Sequence, residues 1–205
     1  GGSDTYVLYY DIDPATPVIS DFEIAGWKYG QYDANLNKPS AKTTFGTVEF
    51  EYLVNGVWQS EAPVDGVQGT YKVRAVVKAD NVNGNWVEKI SDPIDLVISR
   101  ADSIITINTT GKDYLVKNDD GTYTFTKTYT DSAFDLEDLI GATLSHTEKT
   151  LSYSVSVVEN VADSSDITIS AEQSHNYNAV SVTIHVVINK ADIDKPTITI
   201  DATYG

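Results

Sequence analysis

Ile94-Asp95-Leu96-Val97-Ile98-Ser99-Arg100-Ala101-Asp102 returns later in the chain as His185-Val186-Val187-Ile188-Asn189-Lys190-Ala191-Asp192. Both copies run through a mostly apolar strand into a basic residue and then Ala-Asp. An Asn-rich turn stands upstream of each: Asp80-Asn81-Val82-Asn83-Gly84-Asn85-Trp86 before the first, His175-Asn176-Tyr177-Asn178 before the second. A period about the size of one small β-sandwich predicts units laid end to end.

Three further segments sit where such units would open: Ile24-Ala25-Gly26-Trp27-Lys28-Tyr29-Gly30, Thr126-Lys127-Thr128-Tyr129-Thr130-Asp131, and Ile198-Thr199-Ile200-Asp201-Ala202-Thr203-Tyr204-Gly205. Each carries a Tyr followed by a turn residue. The repeats divide the chain into a first module over 14–100, a second over 101–190 and the start of a truncated third over 191–205. Residues 1–13 read as a cloning remnant at Gly1-Gly2-Ser3 and the tail of a preceding module from Tyr6 to Asp13. With 205 residues there is room for two modules of the size that sandwich domains use.

Strand signals dominate. Residues 47–54, 70–77 and 180–188 alternate β-branched or aromatic with polar side chains, the period of a strand with one buried face. Turn residues punctuate them at Asn55-Gly56, Asp65-Gly66 and Asn83-Gly84. The clearest hairpin joins residues 114–117 to 122–125 through Asn118-Asp119-Asp120-Gly121, because Asp-Gly supplies the positive φ a tight turn needs. One short helix is expected over 132–140, where Phe134, Leu136, Leu139 and Ile140 share a face. Many short strands with almost no helix predict an all-β fold of tandem sandwich modules.

Apolar residues make up 41% of the chain and aromatics 10%, enough for packed cores and too much for a disordered acidic tail. A net charge of -16 and a pI near 4.3 repel phosphate backbones and anionic headgroups, which argues against nucleic-acid and membrane-surface partners. No apolar run approaches the ~20 residues of a membrane span. Cysteine and methionine are both absent, so disulfides, thiol chemistry and Cys-based metal sites are excluded.

The segments Lys127-Thr128-Tyr129-Thr130-Asp131-Ser132-Ala133-Phe134-Asp135-Leu136, Thr168-Ile169-Ser170-Ala171-Glu172-Gln173, and Asn176-Tyr177-Asn178-Ala179 with the closing Ile188-Asn189-Lys190-Ala191 resemble the bacterial immunoglobulin-like repeats of Gram-positive surface proteins and adhesins. The first module is similar through Gly26-Trp27-Lys28-Tyr29-Gly30, Pro63, Gly69-Thr70-Tyr71-Lys72-Val73 and its Ala-Asp junction. In the second module Thr130 stands where the family often has Gly after the Tyr, so a different local turn is expected there. The resemblance implies immunoglobulin-like β-sandwiches, with a small β-grasp-like surface repeat as the alternative for one module. It also implies a spacer, stalk or adhesive role on the bacterial surface. Some modules of this general type cross-link a Lys to an Asn or Asp, but the alternation around Lys28, Lys72 and Lys127 points these side chains to water.

Candidate binding residues come from the first module, which holds all three tryptophans. Trp27 and Tyr71 are expected in the core, whereas Trp58 and Trp86 lie beside turns, where binding residues are often carried. Trp58 and Trp86 with Asn83 and Asn85 would make a carbohydrate platform, the flat rings stacking on sugars and the amides taking hydroxyls. Asp80, Asn81, Asn83 and Asn85, like Asn118, Asp119 and Asp120, lack the spacing of a calcium loop and read as turns. His146, His175 and His185 are too scattered for a helix-borne zinc pair, so no metal site and no cofactor are expected. No Gly-x-Ser-x-Gly elbow, phosphate loop or His-Glu-x-x-His occurs.

The expectation is therefore a non-catalytic, monomeric, structural or adhesive repeat region of an extracellular protein at the bacterial cell surface or cell wall. Its partner, if it has one, is a polysaccharide or a host surface glycan or protein. Two alternatives stand beside it: a carbohydrate-binding module, and an accessory region of a secreted glycan-degrading enzyme.

Overall fold

The computed structural model describes residues 1–194 and 196–203. The chain divides into two compact units, Gly1–Ala101 and Asp102–Gly205. Lys195, Tyr204 and Gly205, which belong to the expected start of a third module, lie outside the described residues.

Unit 1 contains β1 (Ile19–Glu23), β2 (Trp27–Lys28), β3 (Ser40–Thr43), β4 (Val48–Val54), β5 (Val57–Gln59), β6 (Gly69–Val77), β7 (Lys89–Ile90) and β8 (Ile94–Ser99). One sheet runs in the order β2-β8-β6-β4-β5, with β7 paired to β6, and β1 pairs with β3 in a separate two-stranded sheet. Asn55 (φ 51) and Gly56 (φ 78) both adopt the left-handed region and close the β4–β5 hairpin, the conformation that an Asn-Gly turn favours. Alternation in β8 sends Leu96 and Ile98 inward, where they meet Trp27, Tyr52 and Val73 in the core.

Unit 2 contains β9 (Ile105–Thr106), β10 (Leu115–Lys117), β11 (Tyr123–Thr128), β12 (Phe134–Asp135), α1 (Leu136–Ile140), β13 (Thr143–Leu144), β14 (Ser152–Tyr153), β15 (Val157–Val158), a 3-10 turn (Val161–Asp163), β16 (Ser165–Ala171) and β17 (Val180–Asn189). Its five-stranded sheet has the order β10-β11-β17-β16-β14, and β12 with β15 and β9 with β13 form small ribbons. The β10–β11 hairpin forms around Gly121 (φ 85) at the position its sequence predicts. The helix is shorter than expected: Phe134 and Asp135 pair with β15, and the Asp135 carboxylate caps the single turn that follows by accepting the Asp138 amide at 3.2 Å. Leu136 and Ile140 are fully buried and join the core of Phe125, Ile167, Ile169, Ile184 and Ile188.

The same contact closes both units. In unit 1, β2 runs parallel to the last strand, pairing Trp27 with Ile98 and Lys28 with Ser99, and the Tyr29 amide donates to the Ser99 carbonyl at 2.8 Å. In unit 2, β11 runs parallel to β17, pairing Lys127 with Ile188 and Thr128 with Asn189, and the Tyr129 amide donates to the Asn189 carbonyl at 2.9 Å. Trp27-Lys28-Tyr29 and Lys127-Thr128-Tyr129 thus occupy equivalent places, and Ser99 and Asn189 each stand one residue before the basic-Ala-Asp junction. The turn after the Tyr differs: Gly30 takes positive φ (70), whereas in unit 2 that conformation falls one residue later, on Asp131 (φ 62). The Asp131 carboxylate accepts the Tyr129 hydroxyl at 2.8 Å and holds the turn.

Candidate functional site

The Asn-rich turn of unit 1 is organised around one carboxylate. Asp80 accepts the backbone amides of Val82, Asn83 and Asn85, each at 3.1 Å, and the Asn85 side-chain amide at 2.9 Å. The ordered turn clasps the chain as it enters the unit: the Ala15 amide donates to the Asn85 carbonyl at 2.8 Å, and the Val87 amide to the Ala15 carbonyl at 3.0 Å. Trp86 is half-buried, donates from Nε1 to the Lys78 carbonyl at 3.0 Å, and lies near-parallel to Phe45 with centroids 6.2 Å apart. Trp58 on β5 is half-buried under the Arg74 guanidinium, 4.2 Å from its ring centroid, and Arg74 also pairs with Glu51 at 2.7 Å. No ring contact joins Trp58 to Trp86 among the described residues. Trp27 is 5% exposed and Tyr71 half-buried, its hydroxyl donating to the Val67 carbonyl at 2.8 Å.

Unit 2 uses its Asn-rich turn in a related way. Asn178 donates from its side chain to the Asp102 carboxylate at 3.1 Å and accepts the Ser103 hydroxyl on its carbonyl at 2.6 Å. Ser103 Oγ also lies 2.9 Å from His146 Nε2, a Ser–His pair without any local motif to announce it. The His146 ring stacks on Tyr177 with centroids 3.8 Å apart. The Glu148 amide donates to His146 Nδ1 at 3.1 Å, so the neutral ring carries its proton on Nε2 and donates to Ser103. Ser103 in turn gives its own proton to Asn178. An activated nucleophile needs the opposite arrangement, an imidazole that accepts the hydroxyl proton. This pair is therefore wired as a structural clasp.

Lys28 and Lys72 are exposed, as their alternation predicts, and Lys72 pairs with Asp95 across the strands. Lys127 differs. It is partly buried, its ammonium 4.1 Å from the Tyr114 ring centroid and 5.9 Å from that of Phe134. His185 is paired with Asp166 at 2.6 Å on the facing strand.

Four carboxyls are held below their ordinary range by hydrogen bonds to the charged form. The largest single contribution is the Asn83 amide for Asp80, the Thr122 hydroxyl for Asp120, and the Asn160 amide for Asp163. For Glu148 burial is the largest single influence and pushes the other way, but the backbone and side-chain amides of Asn176, the Ser174 side chain and nearby His146 together outweigh it. Unfolded carboxyls titrate near 4, so between that value and the lower folded values the unfolded chain binds more protons. Stability is accordingly expected to fall as the pH drops through this window. Urea midpoints measured from about pH 6 to about pH 2 check it, and Asp80→Asn is expected to be less stable at the upper end with a shallower acid slope.

Among the described residues no group of three or more His, Asp or Glu side chains is placed to hold a metal ion. No helix among them is long and apolar enough to cross a membrane. No protein-family model matches the chain, and no curated protein matches it.

Proposed function

We propose that this chain is a non-catalytic repeat region of a bacterial extracellular surface protein, each unit acting as a spacer that carries a more distal part away from the cell wall. The junction between the repeats carries the reading. Ser99 is fixed in the unit 1 sheet by its pairing with Lys28 and the Tyr29 amide, and Asp102 is fixed in unit 2 by Asn178. Only Arg100 and Ala101 intervene. Such a junction has none of the Gly/Ser content or length of a flexible tether.

Further support comes from the repeated closing contact, the recurrence of Asp11-Ile12-Asp13 as Asp192-Ile193-Asp194, and a composition free of oxidisable sulfur. The wiring of Ser103 and His146 supports the non-catalytic part. For unit 2, the hairpin, the helix α1 and a closing strand parallel to β11 fit the small β-grasp-like variant of such repeats. Nitrogen-15 relaxation tests the spacer role. Both units are expected to tumble with one correlation time, and a Gly-Gly-Ser-Gly insertion after Arg100 is expected to split it in two. Two separate correlation times in the unaltered chain would overturn the reading.

A further inference from the structure

Unit 1 carries a groove of about 370 Å³ that none of the residues discussed as candidates lines. Its size falls within the roughly 300 to 1,000 Å³ typical of small-molecule sites. Phe50 and Tyr52, two apart on β4 and so on one face, form its floor; Tyr32, Lys38 and Pro39 from the β2–β3 connection form one wall, and Ser60 after β5 the other. Both walls are set in advance. Asn37, 7% exposed, accepts the Asp33 amide at 2.8 Å and donates to the Gly26 carbonyl at 3.0 Å, while the Asp33 carboxylate accepts the Asn35 amide at 2.8 Å. On the other side Gln59 donates to the Glu61 carbonyl at 2.8 Å and fixes the turn that presents Ser60.

The floor carries one polar atom that no neighbour uses. Tyr52 is 5% exposed as a whole residue and lines the groove; its hydroxyl makes no hydrogen bond to any described residue and is not enclosed, so it is open to solvent or to a ligand. Burial, with Tyr32 alongside, pushes the Tyr52 phenol up to about 12, so the hydroxyl stays a neutral donor. Lys38 on the rim is in no ion pair among the described residues.

We propose that this groove binds one pyranose ring of a neutral polysaccharide. The ring's C–H face packs against the partly exposed Tyr32 and Phe50, one hydroxyl accepts from Tyr52, and others bond Ser60 and Lys38. Aromatic floors with a few fixed polar groups are what an amphipathic ring of this kind requires. The net charge of -16 works against a polyanionic ligand, which is why the neutral class is chosen. The site is independent of the spacer role: a spacer without a ligand and a sugar site on a flexible chain are both distinguishable outcomes.

The test is an NMR titration of the full chain with the methyl glycosides of glucose, galactose, mannose and N-acetylglucosamine to roughly 50 mM, enough to reveal millimolar binding. At least one is expected to shift the resonances of Tyr32, Phe50 and Tyr52, and to change the emission of Trp27, whose ring lies edge-on to Tyr32 at 4.9 Å. Tyr52→Phe removes one oxygen and leaves the ring, and is expected to weaken binding about tenfold. The rim variants Lys38→Ala and Ser60→Ala, which do not touch the core, are expected to weaken it a few-fold. Trp58→Ala is expected to leave it unchanged. The proposal is overturned by silence at these residues across all four glycosides, by shifts centred instead on Trp58 and Trp86, or by unchanged affinity in Tyr52→Phe and both rim variants.

Discussion

Phe125→Ala is expected to destabilise unit 2 by about 4 kcal/mol, a large fraction of the roughly 5 to 15 kcal/mol that holds a domain together. Phe125 is fully buried in the middle of β11, opposite Leu115 on β10 and Val186 on β17, so it touches both strands that flank it in the sheet. Its ring meets Tyr114 edge-on at 5.6 Å, a geometry that adds to the burial itself. Truncation removes these contacts and leaves a void that Ile167, Ile184 and Leu136 are too constrained by their own strands and cap to fill. The position of the tryptophans makes the measurement selective. Trp27, Trp58 and Trp86 all belong to unit 1, so tryptophan emission follows that unit while far-ultraviolet circular dichroism follows both. In Phe125→Ala one dichroism transition is expected to move to lower urea with the emission transition unmoved. Equal movement of both would show that the two units do not unfold separately.

Much of this fold was readable because its signals are local. Asn55-Gly56 and Asp120-Gly121 announce their hairpins through conformations other residues resist, and the alternation of residues 180–188 shows which side chains of β17 face the core. The repeated basic-Ala-Asp junction marks the end of the last strand in both units. What escaped is non-local. The two-residue strands β2, β7, β9, β12, β13, β14 and β15 exist only because a partner distant in sequence supplies their hydrogen bonds, and no window of six residues distinguishes them from loop. Phe134 and Asp135 look helical by periodicity, but pairing with Val157 and Val158 overrides that preference.

The site residues divide along the same line. That Asn83 and Asn85 belong to a turn was legible; that the Asp80 carboxylate gathers their amides was not, since an Asp at the head of an Asn-rich run serves equally as a cation ligand. Ser103 and His146 are 43 residues apart, and Tyr32, Phe50 and Ser60 come from three separate segments. The one signal that was available for the groove is the aromatic pair Phe50 and Tyr52 at alternate positions of a strand, and in a sequence this reads as core. It is core, and residues of the β5–β6 connection, Ser60 and Ala62, line the groove beside it.

Gly26→Ala is expected to cost unit 1 about 3 kcal/mol although the substitution adds a single methyl group at an exposed position. The backbone there is not left-handed, so glycine's freedom of φ is not the reason it is present. The reason is proximity. A Cβ on residue 26 would stand 2.1 Å from the Val97 carbonyl oxygen and 3.1 Å from its carbon, contacts with backbone that no rotamer change relieves. Either β2 withdraws from β8 or β8 bends, and both break the parallel pairing of Trp27 with Ile98 that seats the indole in the core. Unit 2 has Thr126 at the equivalent place, and there the parallel ladder runs on regularly to Val187 with room for the side chain. Gly30 supplies the contrast: its φ is 70 and nothing lies within 4 Å of a Cβ, so Gly30→Ala is expected to cost only about 1 kcal/mol, from the left-handed backbone alone. Both variants are read by the emission transition, because Trp27 sits beside the disturbed pairing. If Gly26→Ala moved that transition no further than Gly30→Ala, the close approach of the two strands would not be what the unit depends on to stay closed.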